Sequence, residues 1–286
     1  MLVVNSVAAL QKNITVLRAK NQRIAFVPTM GNLHAGHRAL MERAHGYADV
    51  VIASIFVNPL QFGPNEDFAT YPRTPEADEV LLTAAGVDIV LMPAEQDIYP
   101  RGQLAQTRVE VPGISKILDG AHRPDHFCGV TTVVNRLFNL VTPQVVLFGK
   151  KDYQQWLLIR LMVADLGLPI EVVGCETVRA PDGLALSSRN SYLSPPERAL
   201  APALYTILRG LGTKITTSSG DWQAHEKQAF AELAAVGFQP DYISIRRQAD
   251  LALPLPSDKK LVILAAAKLG RTRLIDNLEV DLNLPG

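Results

Sequence analysis

Short apolar or β-branched runs at 24–27, 50–57, 87–92, 145–148 and 170–173 alternate with helix-like stretches at 36–47, 75–85, 130–140 and 153–166. Each of those helices is long enough to form a crossover, so the alternation predicts a parallel α/β sheet. After Ala180-Pro-Asp-Gly183 the texture changes. Two helix candidates follow, the first capped by Ser194 and opened by Pro195, and then strand-like runs at 242–245, 261–267 and 271–275. The expected organisation is an α/β domain over 1–180 and a smaller α+β domain over 181–286.

The first strand breaks at Pro28-Thr29-Met30-Gly31, and a helix begins at His34-Ala-Gly-His37. Backbone N–H groups at a helix start lack intrahelical partners and carry partial positive charge, so a triphosphate can dock at such a junction. Imidazoles three residues apart share one helix face and can donate to phosphate oxygens, while Gly36 presents no side chain to obstruct a nucleotide. The spacing fits the HxGH signature of adenylate-forming nucleotidyltransferases. From these residues alone, a metal site with a further ligand, or two solvated histidines, stay open.

Composition narrows the ligands. About half of the 286 residues are apolar, and 28 basic residues balance 28 acidic ones without a basic block, so small molecules are favoured over a nucleic-acid surface. Two cysteines, Cys128 and Cys175, are too few for a disulfide framework or a zinc ribbon and suit a reducing cytosol. No apolar run has the length of a membrane span and residues 1–19 lack signal-peptide features, which leads to the expectation of a cytoplasmic protein. Neither a GxGxxG fingerprint nor a Walker A sequence occurs.

The other unusual segments fall at the carboxyl ends of expected strands, where open α/β sheets bind ligands. Asn58-Pro-Leu-Gln61-Phe-Gly63 follows one strand, and Gly149-Lys-Lys-Asp152-Tyr-Gln-Gln155 follows another. Gln61 and Gln155 offer a donor and an acceptor without charge, suited to orienting a substrate's hydroxyls and carboxylate. Lys151 can neutralise phosphate charge, and Asp152 can hold a ribose hydroxyl or a cation. Beyond the domain boundary, Ser187 and Ser188 followed by Arg189 fit a phosphate clamp on a loop expected to be mobile, although by themselves they fit a small polar loop equally well.

Residues 27–37, 54–63, Tyr71-Pro-Arg-Thr74, Arg123-Pro-Asp-His-Phe127, 149–155 and Ser187-Ser-Arg-Asn190 together resemble the pantothenate synthetase (pantoate-β-alanine ligase) family of HxGH nucleotidyltransferases. The resemblance implies a Rossmann-like N-terminal domain, a smaller C-terminal lid domain and a homodimer. It places ATP against Met30, Gly31, Asn32, Leu33, His34, Ala35, Gly36 and His37, against Gly149, Lys150, Lys151 and Asp152, and against Val178, Leu186, Ser187, Ser188 and Arg189. It places pantoate on Gln61 and Gln155, with β-alanine as the second substrate, and matches His37 to the family's catalytic histidine. His34, Lys151, Ser187, Ser188 and Arg189 are the further expected catalytic donors, with Mg²⁺ on the phosphates. The protein ligands of that metal stay open, with Asp78 and Asp152 as candidates.

Two positions depart from the family pattern: Leu186 stands where methionine is common, and Cys128 stands where arginine or another polar residue is often found. Leu for Met conserves apolar volume. Beside His122 and His126, Cys128 suggests a metal, but a structural zinc needs four ligands, and an apolar filler is the expected role. The implied reaction condenses pantoate with β-alanine through a pantoyl adenylate, releasing AMP and pyrophosphate. Its rivals are cofactor adenylylation by another HxGH enzyme and a non-catalytic nucleotide sensor.

Overall fold

The computed structural model describes residues 1–64, 66–217 and 221–282. The chain divides into two compact units, residues 1–150 with 155–176, and residues 151–154 with 177–286.

The first unit is a six-stranded parallel sheet of β1 (Leu2–Val4), β2 (Ile24–Thr29), β3 (Val50–Ile55), β4 (Ile89–Leu91), β5 (Val145–Gly149) and β6 (Glu171–Cys175) in the order β1-β4-β3-β2-β5-β6. Its helices are α1 (Val7–Ala19), α2 (Ala35–Ala44), α3 (Pro75–Ala84), α4 (Glu95–Ile98), α5 (Asp119–His122), α6 (His126–Val141) and α7 (Tyr153–Asp165), whose first two residues fall in the second unit. The central strands are nearly all apolar because both sheet faces are covered: Phe26, Ile52, Val146 and Leu147 are wholly buried, and Ser54 is the buried polar residue of β3. This is the expected Rossmann-like architecture. From β2 the chain builds outward to β3 and β4 in one direction and, after α6, to β5 and β6 in the other, so strand order reverses at the β2/β5 boundary. Ligands bind at the carboxyl ends of strands at such a switch point. Pairing of β2 with β3 runs through Thr29, whereas pairing with β5 is confined to Ala25 and Phe26. Pro28, which has no N–H to give, therefore lies past the β5 ladder.

Several boundaries differ from those read in the sequence. β1 and α1 are additional elements. β1 has three residues, and α1 fully buries only Leu10 and Ile14, too narrow a stripe to stand out. β3 ends at Ile55 instead of 57. α6 begins at His126 instead of 130, since the polar opening Asp125-His126 masks a helix whose first residues are buried.

The second unit contains a three-stranded antiparallel sheet of β7 (Gln239–Arg247), β8 (Lys260–Leu269) and β9 (Thr272–Asp281), with α8 (Pro195–Leu200), α9 (Ala203–Thr217) and α10 (Trp222–Ala235). Leu204, Leu208, Leu211 and Leu233 from the helices share one core with Ile245, Ile263 and Leu274 from the strands. Gly212 lets α9 lie close against the sheet, because a Cβ there would come within 2.8 Å of Leu278 Cδ2. Ser194 caps α8 as expected, with its own N–H donating to Glu197 at 2.7 Å. β9 extends six residues beyond the expected end at 275. Arg273, Asp276, Asn277 and Glu279 interrupt its apolar pattern.

Candidate functional site

The turn after β2 is built on backbone that only a few residues tolerate. Gly31 has φ +80° and Asn32 φ +49°, which carries the chain from the strand into α2. His34 then adopts extended backbone as the helix N-cap. Its Nδ1 accepts the Gly36 N–H at 3.1 Å, while Nδ1 of His37 accepts the His34 N–H at 3.3 Å. The two rings lie 4.1 Å apart between centroids. An imidazole nitrogen that accepts from a backbone N–H carries no proton, so in the neutral rings the proton sits on Nε2. The histidines thus form a reciprocal capping box and present Nε2–H as donors.

This arrangement corrects the expectation of unpaired amides for part of the helix start and for the turn before it. The amides of His34 and Gly36 are satisfied by imidazoles, and those of Asn32 and Leu33 by the Asp78 carboxylate at 2.9 and 2.7 Å. Within the turn, Met30, Leu33, His34, Gly36 and His37 are half-buried, Gly31 is buried and Ala35 is exposed.

Gln61 closes a short 3-10 turn, Pro59–Gln61, and is nearly buried at 8% exposure, so its amide needs internal partners. The Leu60 N–H and the Tyr99 hydroxyl both donate to one atom of Asn58, at 3.3 and 2.6 Å, which identifies that atom as Oδ1. Asn58 Nδ2 then donates to Gln61 Oε1 at 3.1 Å and to the Gly129 carbonyl at 3.1 Å. With its oxygen so engaged, the NH₂ of Gln61 is the donor its amide can give to a ligand. A Cβ at Gly129 would collide with the Leu60 carbonyl, so glycine there allows α6 to pack on the turn.

Behind Gln61, Arg123 donates through Nε and an Nη to the two Glu66 carboxylate oxygens at 2.7 and 2.6 Å. Its other terminal nitrogen lies 3.0 Å from His126 Nε2, and His126 Nδ1 lies 2.7 Å from the Gln61 carbonyl. Guanidinium nitrogens only donate, so His126 Nε2 accepts and Nδ1–H donates. Burial, reinforced by the Arg123 charge, pushes His126 down to about 4 and keeps it neutral. Arg123 in turn helps hold the Glu66 carboxyl below the usual range, against the opposing effect of burial.

At the end of β5, Gly149 and Lys150 lie in the first unit. Lys150 Nζ pairs with Glu176 at 2.7 Å and lies 5.7 Å from the centre of the Trp156 ring. Gln155, on the opening turn of α7, is half-buried. Lys151 and Asp152 belong to the second unit, where Asn277 Nδ2 donates to the Lys151 carbonyl at 2.9 Å and the Tyr153 hydroxyl to Glu279 at 2.9 Å. Asp152 is exposed, with Lys151 Nζ at 3.7 Å.

The expected clamp loop is a hairpin that runs into a 3-10 helix. Leu186 N–H donates to the Val178 carbonyl at 3.0 Å and Ala180 N–H to the Leu184 carbonyl at 2.8 Å. Ser187 caps the 3-10 helix Ser188–Tyr192 by accepting the Arg189 N–H at 3.3 Å, and Asn190 Nδ2 fastens the Ala185 carbonyl at 3.0 Å. Arg179 makes a two-pronged pair with buried Asp276 at 2.7 and 2.8 Å and lies 3.4 Å from the centre of the Tyr205 ring. Leu186, Ser187, Ser188 and Arg189 are half-buried.

Both cysteines are free: Cys175 is buried, and Cys128 is half-buried on α6. Among the described residues, no three His, Cys, Asp or Glu side chains form a metal-holding group. Asp78 accepts from the Asn32 and Leu33 amides and the Thr74 hydroxyl.

The sequence profile of the pantoate-β-alanine ligase family matches residues 2–279. The chain belongs to the pantoate-β-alanine ligase family. It is 55% identical over 282 residues to the pantothenate synthetase of Thioalkalivibrio sulfidiphilus, covering 99% of each chain. The crystal structure of pantothenate synthetase from Thermus thermophilus superimposes with TM-score 0.89 at 48% identity, covering 98% of this chain and 100% of that one. The pantoate-β-alanine ligase of Francisella tularensis, complexed with β-γ ATP and β-alanine, matches with TM-score 0.81 at 35% identity, over 100% of this chain and 99% of that one. Within this family member, the sequence did not single out Asn58 or Tyr99, nor His126 for its hold on Gln61. Asn58 lies in the quoted 54–63 segment and His126 in the quoted 123–127 segment, but their roles come from contacts that the segments do not show.

Proposed function

We propose that the chain condenses (R)-pantoate with β-alanine through a pantoyl-adenylate intermediate. A pantoate carboxylate oxygen attacks the α-phosphorus of ATP, and the bond to pyrophosphate breaks. The β-alanine nitrogen then attacks the adenylate's carbonyl carbon, the bond to AMP breaks and the amine loses a proton. No side chain forms a covalent bond, so the protein's work is positioning and charge stabilisation.

The observation that carries this reading is the reciprocal His34/His37 cap, which sets both neutral imidazoles in the Nε2–H form on the opening turn of α2, beside the switch point. Such donors act most strongly as charge grows on the phosphates. Gln61, presenting NH₂, and Gln155 bind pantoate without adding charge. Lys151, Ser187, Ser188 and Arg189 of the second unit neutralise phosphate, with the main chain of Val178 and Leu186 beside the nucleotide, and that unit acts as the lid. Magnesium enters as MgATP, held chiefly by phosphate oxygens, as is usual for an ion that retains its waters. We also read the enzyme as a cytoplasmic homodimer. Among the described residues, no helix is long and apolar enough to cross a membrane.

The test is product analysis with ATP, Mg²⁺, pantoate and β-alanine, together with exchange of labelled pyrophosphate into ATP. Pantothenate and AMP are expected in equal amounts, and exchange is expected with pantoate alone. Exchange that needs β-alanine would exclude a free-standing adenylation step.

A further inference from the structure

Asp78 lies on the first turn of α3 and is 2% exposed, so its acceptor oxygens need internal donors. Oδ2 accepts the Asn32 N–H at 2.9 Å, and Oδ1 accepts the Leu33 N–H at 2.7 Å and the Thr74 hydroxyl at 3.2 Å. The two amides come from the left-handed turn that delivers the chain to His34. Contact is close enough that a Cβ on Gly31 would stand 3.0 Å from Oδ2. The N-terminal end of α3 adds favourable potential for the carboxylate.

We propose that Asp78 is a positioning residue for adenylation. By gripping the Asn32 and Leu33 amides it fixes the entry of the chain into α2, and thereby the direction in which His34 and His37 aim their Nε2–H groups. The inference rests on the reading of those histidines as adenylation donors and adds the element that orients them. Without this grip the turn keeps the Gly31 N–H bond to Thr29 Oγ1 and the His34/His37 cap but loses its tie to α3, and small displacements of a preorganised donor are costly in rate. The same contacts explain why an acid stands beside a phosphate-binding turn: the turn's spare amides are filled from within, so anion binding passes to the imidazoles.

Asp78→Asn keeps the shape but leaves one carbonyl oxygen for two amides and turns an NH₂ toward the other. Pantoate-dependent pyrophosphate exchange should lose about 10²-fold in kcat, the scale of a displaced catalytic group, while KM for ATP moves little. Nitrogen-15 spectra of His34 and His37 should shift away from the pure Nε2–H pattern. Thr74→Val removes only the third donor and should keep near-native kcat and spectra. In the native protein, the Asn32 and Leu33 amides should resist hydrogen exchange. Asp78→Asn with native exchange rate and unchanged imidazole spectra would overturn the proposal, as would fast-exchanging Asn32 and Leu33 amides in the native protein or an equal loss in Thr74→Val. The amide measurement stands even where Asp78→Asn does not fold. A native enzyme that shows no exchange would sink the adenylation reading instead, leaving the spectra and amide protection to judge the grip.

Discussion

His37 holds the N–H of His34 through Nδ1 at 3.3 Å, so the residue matched to the family's catalytic histidine also caps the helix that carries it. On the proposed reading, one ring nitrogen is structural and the other chemical, and substitutions can separate the two.

Asparagine places its amide oxygen near where Nδ1 of histidine lies but has nothing at Nε2. His37→Asn should therefore keep the melting temperature close to native while adenylation falls by about 10²- to 10³-fold, as when one preorganised donor is lost. His37→Ala should lose both functions, adding about 1 kcal/mol of destabilisation from the missing cap. Single-turnover rates and thermal melts check both variants. A near-native rate in His37→Asn would remove His37 from the chemistry.

Gln61 is oriented by Asn58, and Asn58 by the Tyr99 hydroxyl at 2.6 Å. Gln61→Glu replaces a presented NH₂ with a charge facing a carboxylate substrate, so pantoate binding should be lost while ATP binding persists. Tyr99→Phe leaves Asn58 held by Leu60 and Gly129 but without its shortest hydrogen bond. Its expected cost is about 1–2 kcal/mol of stability from a weakened buried acceptor, with a several-fold rise in KM for pantoate. Calorimetry with each ligand separates these effects, and equal losses for pantoate and ATP would count against a pantoate role.

His126 sits at about 4 in the folded protein against an ordinary value near 6.5. Because the folded value is depressed, protonation favours unfolding. The neutral ring's contribution is fully present above about pH 6.5 and declines as pH falls toward 4, by up to about 3 kcal/mol. Urea unfolding at pH 7.5 and 5 should show about 2 kcal/mol of that loss, and His126→Asn, which can still donate an N–H to the Gln61 carbonyl, should flatten it. A slope unchanged in His126→Asn would assign the pH dependence to other groups.

Arg189→Lys keeps charge but removes the planar fork. Adenylation should slow by about tenfold, on the scale of one charge-assisted hydrogen bond, and ATP should protect residues 183–192 from hydrogen exchange less than in the native enzyme. Full activity together with equal protection with and without ATP would set aside the clamp.

Local pattern was enough to determine the parallel α/β sheet, because near-continuous apolar strands such as β3 and β5 mean burial on both faces whatever their neighbours are. The HxGH turn and the Ser194 cap were legible for the same reason, since their partners lie within three residues. Elements with a weak stripe, such as α1 and the polar-interrupted β9, were hidden or truncated. Tertiary structure alone decided how the site is held. Asp78 reaches Asn32 across 46 positions, Tyr99 reaches Asn58 across 41 and His126 reaches Gln61 across 65. Those partners meet because strand order brings the ends of β2, β3 and β4 together and α6 packs on the turn after β3. A hydrogen bond needs its two atoms about 3 Å apart, and for residues so distant in the chain only the folded sheet sets that distance.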